Sequence, residues 1–398
     1  MDTALEHARQ HFLEGIGHFE AGRLEPARAC FEASLAQAPG RPSVLANLGV
    51  TLCRLQRWQA AIPVLRQAVA ADPVQRDAWF ALGLSLQAQA QWREAADALA
   101  RGLALDPGRT DLWMACGACE ANAGRPDAAL RAYDRVLAAD PDAVPAWSAR
   151  GGLLRDLGRL DEAAACFERA IALGGDAELH GYYLAAVRGE TKPAPPRAYV
   201  ETLFDQYSAD FEAHLVEQLQ YCGHETLVRP LLATGARWRS VLDLGCGTGL
   251  CGTLLAGHAD AIDGVDLSAA MLAQARGLGV YRDLHHADLA AYLDGTRPRA
   301  DLVLAADVFI YVGALDAVFH GVARVLEPGG TFAFTVEEAP GTEDFRLLAS
   351  LRYAHSEGYI RRLAAAHGLA VRELRRGPLR TNRQAPLDAL YVYLVRAD

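Results

Sequence analysis

Three aspartates close three apolar stretches in the second half of the chain, and a glycine-rich turn follows the first of them. Val241-Leu242-Asp243-Leu244 reads as a buried strand, and Gly245-Cys246-Gly247-Thr248-Gly249 comes directly after it. Glycine in such a turn lets backbone N–H groups approach a ligand with no Cβ in the way. Ala261–Val265 reads as a second strand ending at Asp266. An acidic residue about twenty positions after a glycine loop can accept both hydroxyls of a ribose. Tyr281–His286 reads as a third strand leading to Ala287-Asp288-Leu289, where Asp288 can accept from an adenine amino group. Three carboxylates at three successive strand ends are costly to bury unless a ligand meets them.

The glycine turn alone leaves two ligand classes open. Gly247-x-Gly249-x-x-Gly252 also satisfies a dinucleotide fingerprint. Asp243, two residues ahead of the first glycine, argues the other way: it would repel a pyrophosphate and welcome a cationic amino group. Further on, Leu302–Ala306 reads as a fourth strand, Leu315–Leu326 as a helix, and Glu327-Pro328-Gly329-Gly330 leads into a strand over Thr331–Val336. Helix, Pro-Gly-Gly and strand in this order resemble the class I S-adenosylmethionine-dependent methyltransferases, closely over 240–336 and more loosely to Asp398. The resemblance implies S-adenosyl-L-methionine as cofactor. By it, Asp243, Gly245, Gly247 and Gly249 flank the methionine part, Asp266 takes the ribose and Leu267 lies along the adenine. Asp288 takes the adenine amino group with Leu289 beside it, and Ala306 and Asp307 close the site after the fourth strand. Met271 is expected to pack.

Methyl transfer from a sulfonium is an in-line displacement, so the protein's main task is to align a nucleophile at ~3–3.5 Å and exclude water. A base is needed only where the nucleophile must lose a proton. His355 is the first candidate, on a segment that could fold over the pocket, with Tyr353 beside it to bind substrate. Tyr207 is expected as a lid residue supported by Phe211, and His214 is a further candidate. His285 and His286 stand beside the adenine position, far from the methyl. Arg372, Arg375, Arg376, Arg380 and Arg383 are expected in the loop before a last strand, Ala389–Val395, either solvated or gripping a substrate carboxylate or phosphate.

The elements that must carry this site follow a very different first half. Pro39, Pro73, Pro107 and Pro141 recur with a period of 34 residues, as do Gly15, Gly49, Gly83, Gly117 and Gly151 and the alanines at 27, 61, 95, 129 and 163. Phe31, Leu65, Leu99, Tyr133 and Phe167 follow each alanine by four positions, and Trp79, Trp113 and Trp147 open three of the units. The pattern describes helix pairs: small residues let two helices approach, the bulky residue fills the space, and proline ends the second helix. It resembles the tetratricopeptide repeat family over 8–175. The stretch around Glu178–Val187 is expected to cap the array. By the family's register, Phe12, Ala46, Phe80, Met114 and Ser148 form one row of the concave face, and Ile16, Val50, Leu84, Ala118 and Gly152 the next.

The expected fold class is therefore α plus α/β: a tetratricopeptide solenoid over 1–190, a stiff proline-rich linker over 191–197 and a Rossmann-like methyltransferase domain over 198–398. The segments at Leu203–Tyr207, at Ala306–Gly313 and at Arg352–Ser356 together resemble a bacterial group of methyltransferases that carry such repeats. The formal charge of −10 argues against a nucleic-acid partner. No apolar run approaches the ~20 residues of a membrane span, and the first residues lack a secretory layout, so a cytoplasmic protein is expected. The eight cysteines form no four-ligand metal pattern. The leading expectation is methyl transfer to a protein or peptide acceptor recognised through the repeat groove. The alternative is a small-molecule methyltransferase whose repeats serve a homodimer or shape the pocket. An inactive scaffold and an NAD-dependent oxidoreductase stand further back.

Overall fold

The structure, a computed structural model, describes residues 2–207, 220–295, 299–339, 341–382 and 385–397. The chain divides into two compact units, Met1–Gly175 and Asp176–Asp398. Among the described residues no helix is long and apolar enough to cross a membrane.

The first unit consists of five helix pairs. They are α1 Asp2–Glu20 with α2 Leu24–Gln37, α3 Pro42–Arg54 with α4 Trp58–Ala71, α5 Arg76–Ala88 with α6 Trp92–Leu105, α7 Thr110–Asn122 with α8 Pro126–Ala139, and α9 Val144–Asp156 with α10 Leu160–Ala172. The 34-residue period has a direct physical cause. A Cβ added to Gly15, Gly49, Gly83, Gly117 or Gly151 would stand 2.4–2.8 Å from the bulky residue sixteen positions on. The five following alanines are completely buried. The tryptophans have a role the spacing did not suggest: the indoles of Trp79, Trp113 and Trp147 donate to the carbonyls of Pro73, Pro107 and Pro141 at 2.8–3.0 Å. Each indole thereby closes a turn whose carbonyl lies beyond the preceding helix. Phe80, expected on the concave face, is buried instead against Gly102, where a Cβ would come within 2.4 Å of its ring.

The second unit opens with α11 Ala177–Arg188, capped by Asp176, whose carboxylate accepts from the N–H groups of Glu178 and Leu179. This helix was expected as the end of the repeat array, but it folds with the second unit. Tyr182, Ala185 and Ala186 share an apolar cluster with Leu347, Leu351 and Tyr353, and the Tyr182 hydroxyl donates to the Leu351 carbonyl. Next come α12 Arg197–Tyr207 and α13 Gly223–Ala233.

A nine-stranded sheet follows. Its parallel part has the order β3-β2-β1-β4-β5, from β1 Val241–Leu244, β2 Ile262–Asp266, β3 Asp283–His286, β4 Ala300–Ala305 and β5 Leu326–Glu338. The crossovers carry α14 Leu250–Leu255, α15 Ala269–Gly277, α16 Leu289–Gly295 and α17 Asp316–Val325. Two apolar clusters cover the two faces: Leu242, Leu244, Phe332 and Phe334 belong to one, and Val241, Leu302, Leu304 and Tyr391 to the other. β5 is long enough to hold two neighbours in succession. Thr331–Val336 pairs antiparallel with β9 Ala385–Arg396, and Glu337–Glu338 pairs in parallel with β7 Tyr353–His355, which is flanked by β6 Phe345–Leu347. The hairpin closes with β8 Leu369–Asn382 against β9, and α18 Glu357–Ala366 precedes it. The arginines expected in a loop before the last strand, Arg372, Arg375, Arg376 and Arg380, thus lie on a strand, while Arg383 lies outside the described residues. Likewise the segment around His355, expected to fold over the pocket, is a buried strand paired on both sides.

Candidate functional site

In an open parallel sheet, ligands bind at the carboxyl ends of the strands, where the order reverses. Here β1 lies between β2 and β4, so the reversal falls at the end of β1. A cavity of about 460 Å³ opens there. Of the ten residues expected around the cofactor, Asp243, Gly245, Gly247, Asp266, Leu267, Asp288, Leu289, Ala306 and Asp307 line it, and Gly249 does not. Gly249 instead takes the left-handed turn at φ 103° that starts α14, with Leu278 2.6 Å from where a Cβ would be.

Strand alternation places Asp243 inside. It points to the same face as Val241, toward Tyr281 and Cys251, and is only 1% exposed. The Tyr281 hydroxyl donates to its Oδ2 at 2.8 Å. That ring has room because residue 252 is glycine: a Cβ there would be 2.4 Å from the Tyr281 oxygen. Burial raises the Asp243 pKa to about 7; the Tyr281 hydrogen bond opposes the rise and nearby Asp266 adds to it. A carboxylate in this position is short of a positive partner. Gly245 approaches β4's end so closely that a Cβ would meet Val308 at 2.6 Å, which keeps the turn and the wall opposite in contact.

Asp266 is held by two backbone donors, Gly247 N–H on Oδ2 and Ser268 N–H on Oδ1, both at 2.8 Å. Each oxygen keeps a lone pair for a further donor. Burial raises its pKa, with the backbone hydrogen bonds opposing. Ser268 also donates to Asp205 of α12 at 2.6 Å, and α12 contributes Val200, Leu203 and Phe204 to the cavity wall. Asp288 accepts from the N–H of Ala291. His286 Nε2 meets the carbonyl of Leu267 at 2.8 Å, outside the cavity lining, and Met271 is buried at its edge.

The opposite end of the cavity is polar, and of the described arginines expected as a possible grip on a substrate carboxylate or phosphate, Arg380 lines it while Arg372, Arg375 and Arg376 do not. Tyr221, His224, Asp307, Tyr311, Arg352 and Arg380 line it. Asp307 takes a left-handed backbone at φ 58°, its N–H donating to Thr335 Oγ1 at 2.7 Å. Its carboxylate pairs with Arg380, a guanidinium only 6% exposed. Burial raises the Asp307 pKa, and Arg380 and Arg352 act against the rise. Arg352 stands 3.3 Å from Glu337. His224 stacks on Tyr221 with ring centroids 5.3 Å apart, and burial lowers its pKa. The linker, too, belongs to this unit: the Pro193 carbonyl accepts from Ala314 N–H at 2.8 Å, and Ala194 and Pro195 form part of the wall.

The catalytic candidates fall elsewhere. His355 is fully buried, with Nε2 donating to the Gly313 carbonyl at 2.8 Å and its ring against Phe345 and Tyr359. Burial lowers its pKa to about 4. Tyr353 is fully buried in the α11 cluster, and burial raises its pKa to about 12. Neither lines the cavity, because β7 turns both side chains into packing. Phe211 and His214, and the side chain of Tyr207, lie outside the described residues.

Comparison with known proteins agrees with both halves. A family model described as a methyltransferase domain matches residues 241–330, and a tetratricopeptide repeat model matches four overlapping stretches from 12 to 178. The malonyl-[acyl-carrier protein] O-methyltransferase of Geobacter sulfurreducens is 30% identical over 207 residues, half of this chain and 70% of that protein. The ubiquinone biosynthesis O-methyltransferase of Alkalilimnicola ehrlichii is 31% identical over 124 residues, 29% of this chain and 49% of that protein. The trans-aconitate 2-methyltransferase of Paracidovorax citrulli is 32% identical over 117 residues, 29% of this chain and 44% of that protein. The chain thus spans about half the length of the second and third of these relatives.

Proposed function

Since the chain belongs to the S-adenosylmethionine-dependent methyltransferases and carries tetratricopeptide repeats ahead of its methyltransferase domain, we propose that it methylates an oxygen of a small molecule held at the Arg352–Arg380 end of the cavity. S-adenosylmethionine supplies a methyl group already activated on a sulfonium. The residues at the strand ends fit that group. Asp243 offers a buried carboxylate, short of a cation, to an ammonium. Asp266, pinned by Gly247 and Ser268, offers its free lone pairs to ribose hydroxyls. Leu267 and Leu289 offer apolar surface to a purine, with Asp288 beside them as acceptor for its amino group. The walls from α12 and the linker exclude water, which strengthens every charge interaction inside.

The observation that carries this reading is the convergence of Asp243, Asp266 and Asp288 on one cavity together with the shift of Asp243. A small acceptor is favoured by a relative named for trans-aconitate, a small acid. Two of the relatives are named as O-methyltransferases, which favours oxygen. The tetratricopeptide repeats give the chain a capacity for protein interaction. The test has two parts: calorimetric titration with S-adenosylhomocysteine, and transfer of labelled methyl into a cell extract. Binding, with label in the small-molecule fraction, is the expected result. Label confined to precipitated protein would favour a protein acceptor and overturn the small-molecule reading.

A further inference from the structure

Asp243, Asp266 and Asp288 stand at the glycine-turn end with Arg197 near Asp288, and the guanidinium groups of Arg352 and Arg380 stand with Asp307 at the other. Arg380 is more than nine-tenths buried, and its Nη2 has no hydrogen-bond partner among the described residues although its Nη1 holds Asp307. Arg352 faces the same space, and its Nε, 3.3 Å from Glu337, lacks hydrogen-bond geometry toward it. Asp307 and Glu337 stand against the two guanidinium groups, so among the described residues this wall holds two cations and two anions, of which only Glu337 stays out of the cavity lining. Burying an arginine donor with nothing to meet it costs stability, and Asp307 Oδ1 likewise has no hydrogen-bond partner among the described residues.

We propose that this end is a carboxylate-binding site and that the acceptor is a free carboxylic acid, which leaves as its methyl ester; this rests on the methyl-transfer reading above. Planar guanidinium groups match a carboxylate better than any other small anion except phosphate. A carboxylate oxygen forms the new O–CH3 bond as the S–CH3 bond breaks, and the electron pair of that bond returns to sulfur. The positive charge of the sulfonium and the negative charge of the acid vanish together. No proton leaves, so no base is required, and the histidine first expected as one is packed away from the cavity. The neutral ester then no longer matches the arginines, which helps it depart. By their names, one relative acts on trans-aconitate, a free carboxylic acid, and another on malonyl-[acyl-carrier protein], whose malonyl group is carried on a protein.

The test uses the full chain, tritiated methyl on S-adenosylmethionine and a small-molecule cell extract, followed by mild alkali. Methyl esters release the label as volatile methanol, whereas methyl ethers and methylamines keep it. Alkali-labile label in the small-molecule fraction is expected. Malonate and trans-aconitate should compete with the extract, and their amides should not. Arg352→Gln and Arg380→Gln should each lower incorporation at least tenfold. Arg380→Gln leaves Asp307 unpaired and could unfold, so Arg352→Gln, checked for retained S-adenosylhomocysteine binding, is the deciding variant. Alkali-stable label, or amides that compete as well as acids, would overturn the carboxylate site and leave methyl transfer standing. Alkali-labile label on protein would keep the carboxylate chemistry and overturn the free acid as its source. A chain that fails to bind S-adenosylhomocysteine loses the methyl-transfer reading and this inference with it.

Discussion

Replacing Asp243 by Asn should make the ligand-free protein more stable and the cofactor site weaker, an unusual pairing that follows from one buried charge. Folding raises the pKa of Asp243 from its ordinary value of 3.8 to about 7. Between those values the folded state holds a proton that the unfolded state has released. Stability therefore falls as pH rises from about 4 to about 7, and stays lowered above that. Three pKa units correspond to about 4 kcal/mol. The amide introduced by Asp243→Asn would keep the partner role toward the Tyr281 hydroxyl and carry no charge. At pH 8 the variant is expected to gain up to about 4 kcal/mol, or roughly 8–16 °C in Tm for a unit of this size.

The ammonium of the ligand reverses the balance. Asp243 must be ionised to meet it, so binding expels the proton. About three quarters of a proton should be released per ligand at pH 6.5 and about a tenth at pH 8. Calorimetry with S-adenosylhomocysteine in buffers of different ionisation enthalpy reads this number directly. Asp266, the Tyr281 hydroxyl and the Cys246 and Cys251 thiols are the other groups facing Asp243. The two thiols and Tyr281 have pKa values raised by burial and stay neutral in this range. Asp243→Asn should abolish the release and weaken binding by roughly 10- to 150-fold, the loss of a charge-assisted hydrogen bond. A variant that melts below the parent at pH 8, or that binds equally well with the same proton release, would refute the reasoning.

Tyr281→Phe removes a hydrogen bond that holds the Asp243 pKa down, so proton release at pH 8 should rise above the parent value in the same calorimetric assay. His355→Gln should leave the shape of the pH–rate profile unchanged, because the ring packs outside the cavity. The depressed pKa of His355 also predicts stability that is present above about pH 6.5 and lost as pH falls toward 4; thermal melts of His355→Gln should lack that loss. Gly117→Ala should destabilise the repeat unit by about 1–3 kcal/mol in chemical denaturation, because its Cβ would lie 2.5 Å from the Tyr133 ring.

The parts of this molecule readable in the sequence are those in which a physical requirement repeats or stays local. Gly83 and Leu99 must touch, and the same contact recurs every 34 residues, so the spacing announces it. Asp243, Asp266 and Asp288 each sit within two residues of the end of their own strand, and a parallel sheet brings strand ends together without further instruction. What the sequence could not single out was set by distant pairing. Arg380 reaches the cavity because β8 pairs with β9 and β9 with β5, a chain of contacts with no local signature. His355 is buried because β5 outruns β9 and takes β7 as a second neighbour. A strand of three residues flanked by Arg352 and Ser356 looks, as a string of letters, like a loop. The helix α11 is amphipathic, and amphipathicity names a buried face without naming what buries it.

The proline segment after α11 shows where such a protein can be cut and rejoined. Pro193 is bonded to Ala314, and its two successors are part of the chamber in which the reaction is proposed to occur. Severing the polypeptide at the prolines would therefore strip masonry from the catalytic half. Anyone transplanting a different set of repeats onto this enzyme should place the seam ahead of Asp176, so that Tyr182 and the prolines travel with the chemistry they enclose.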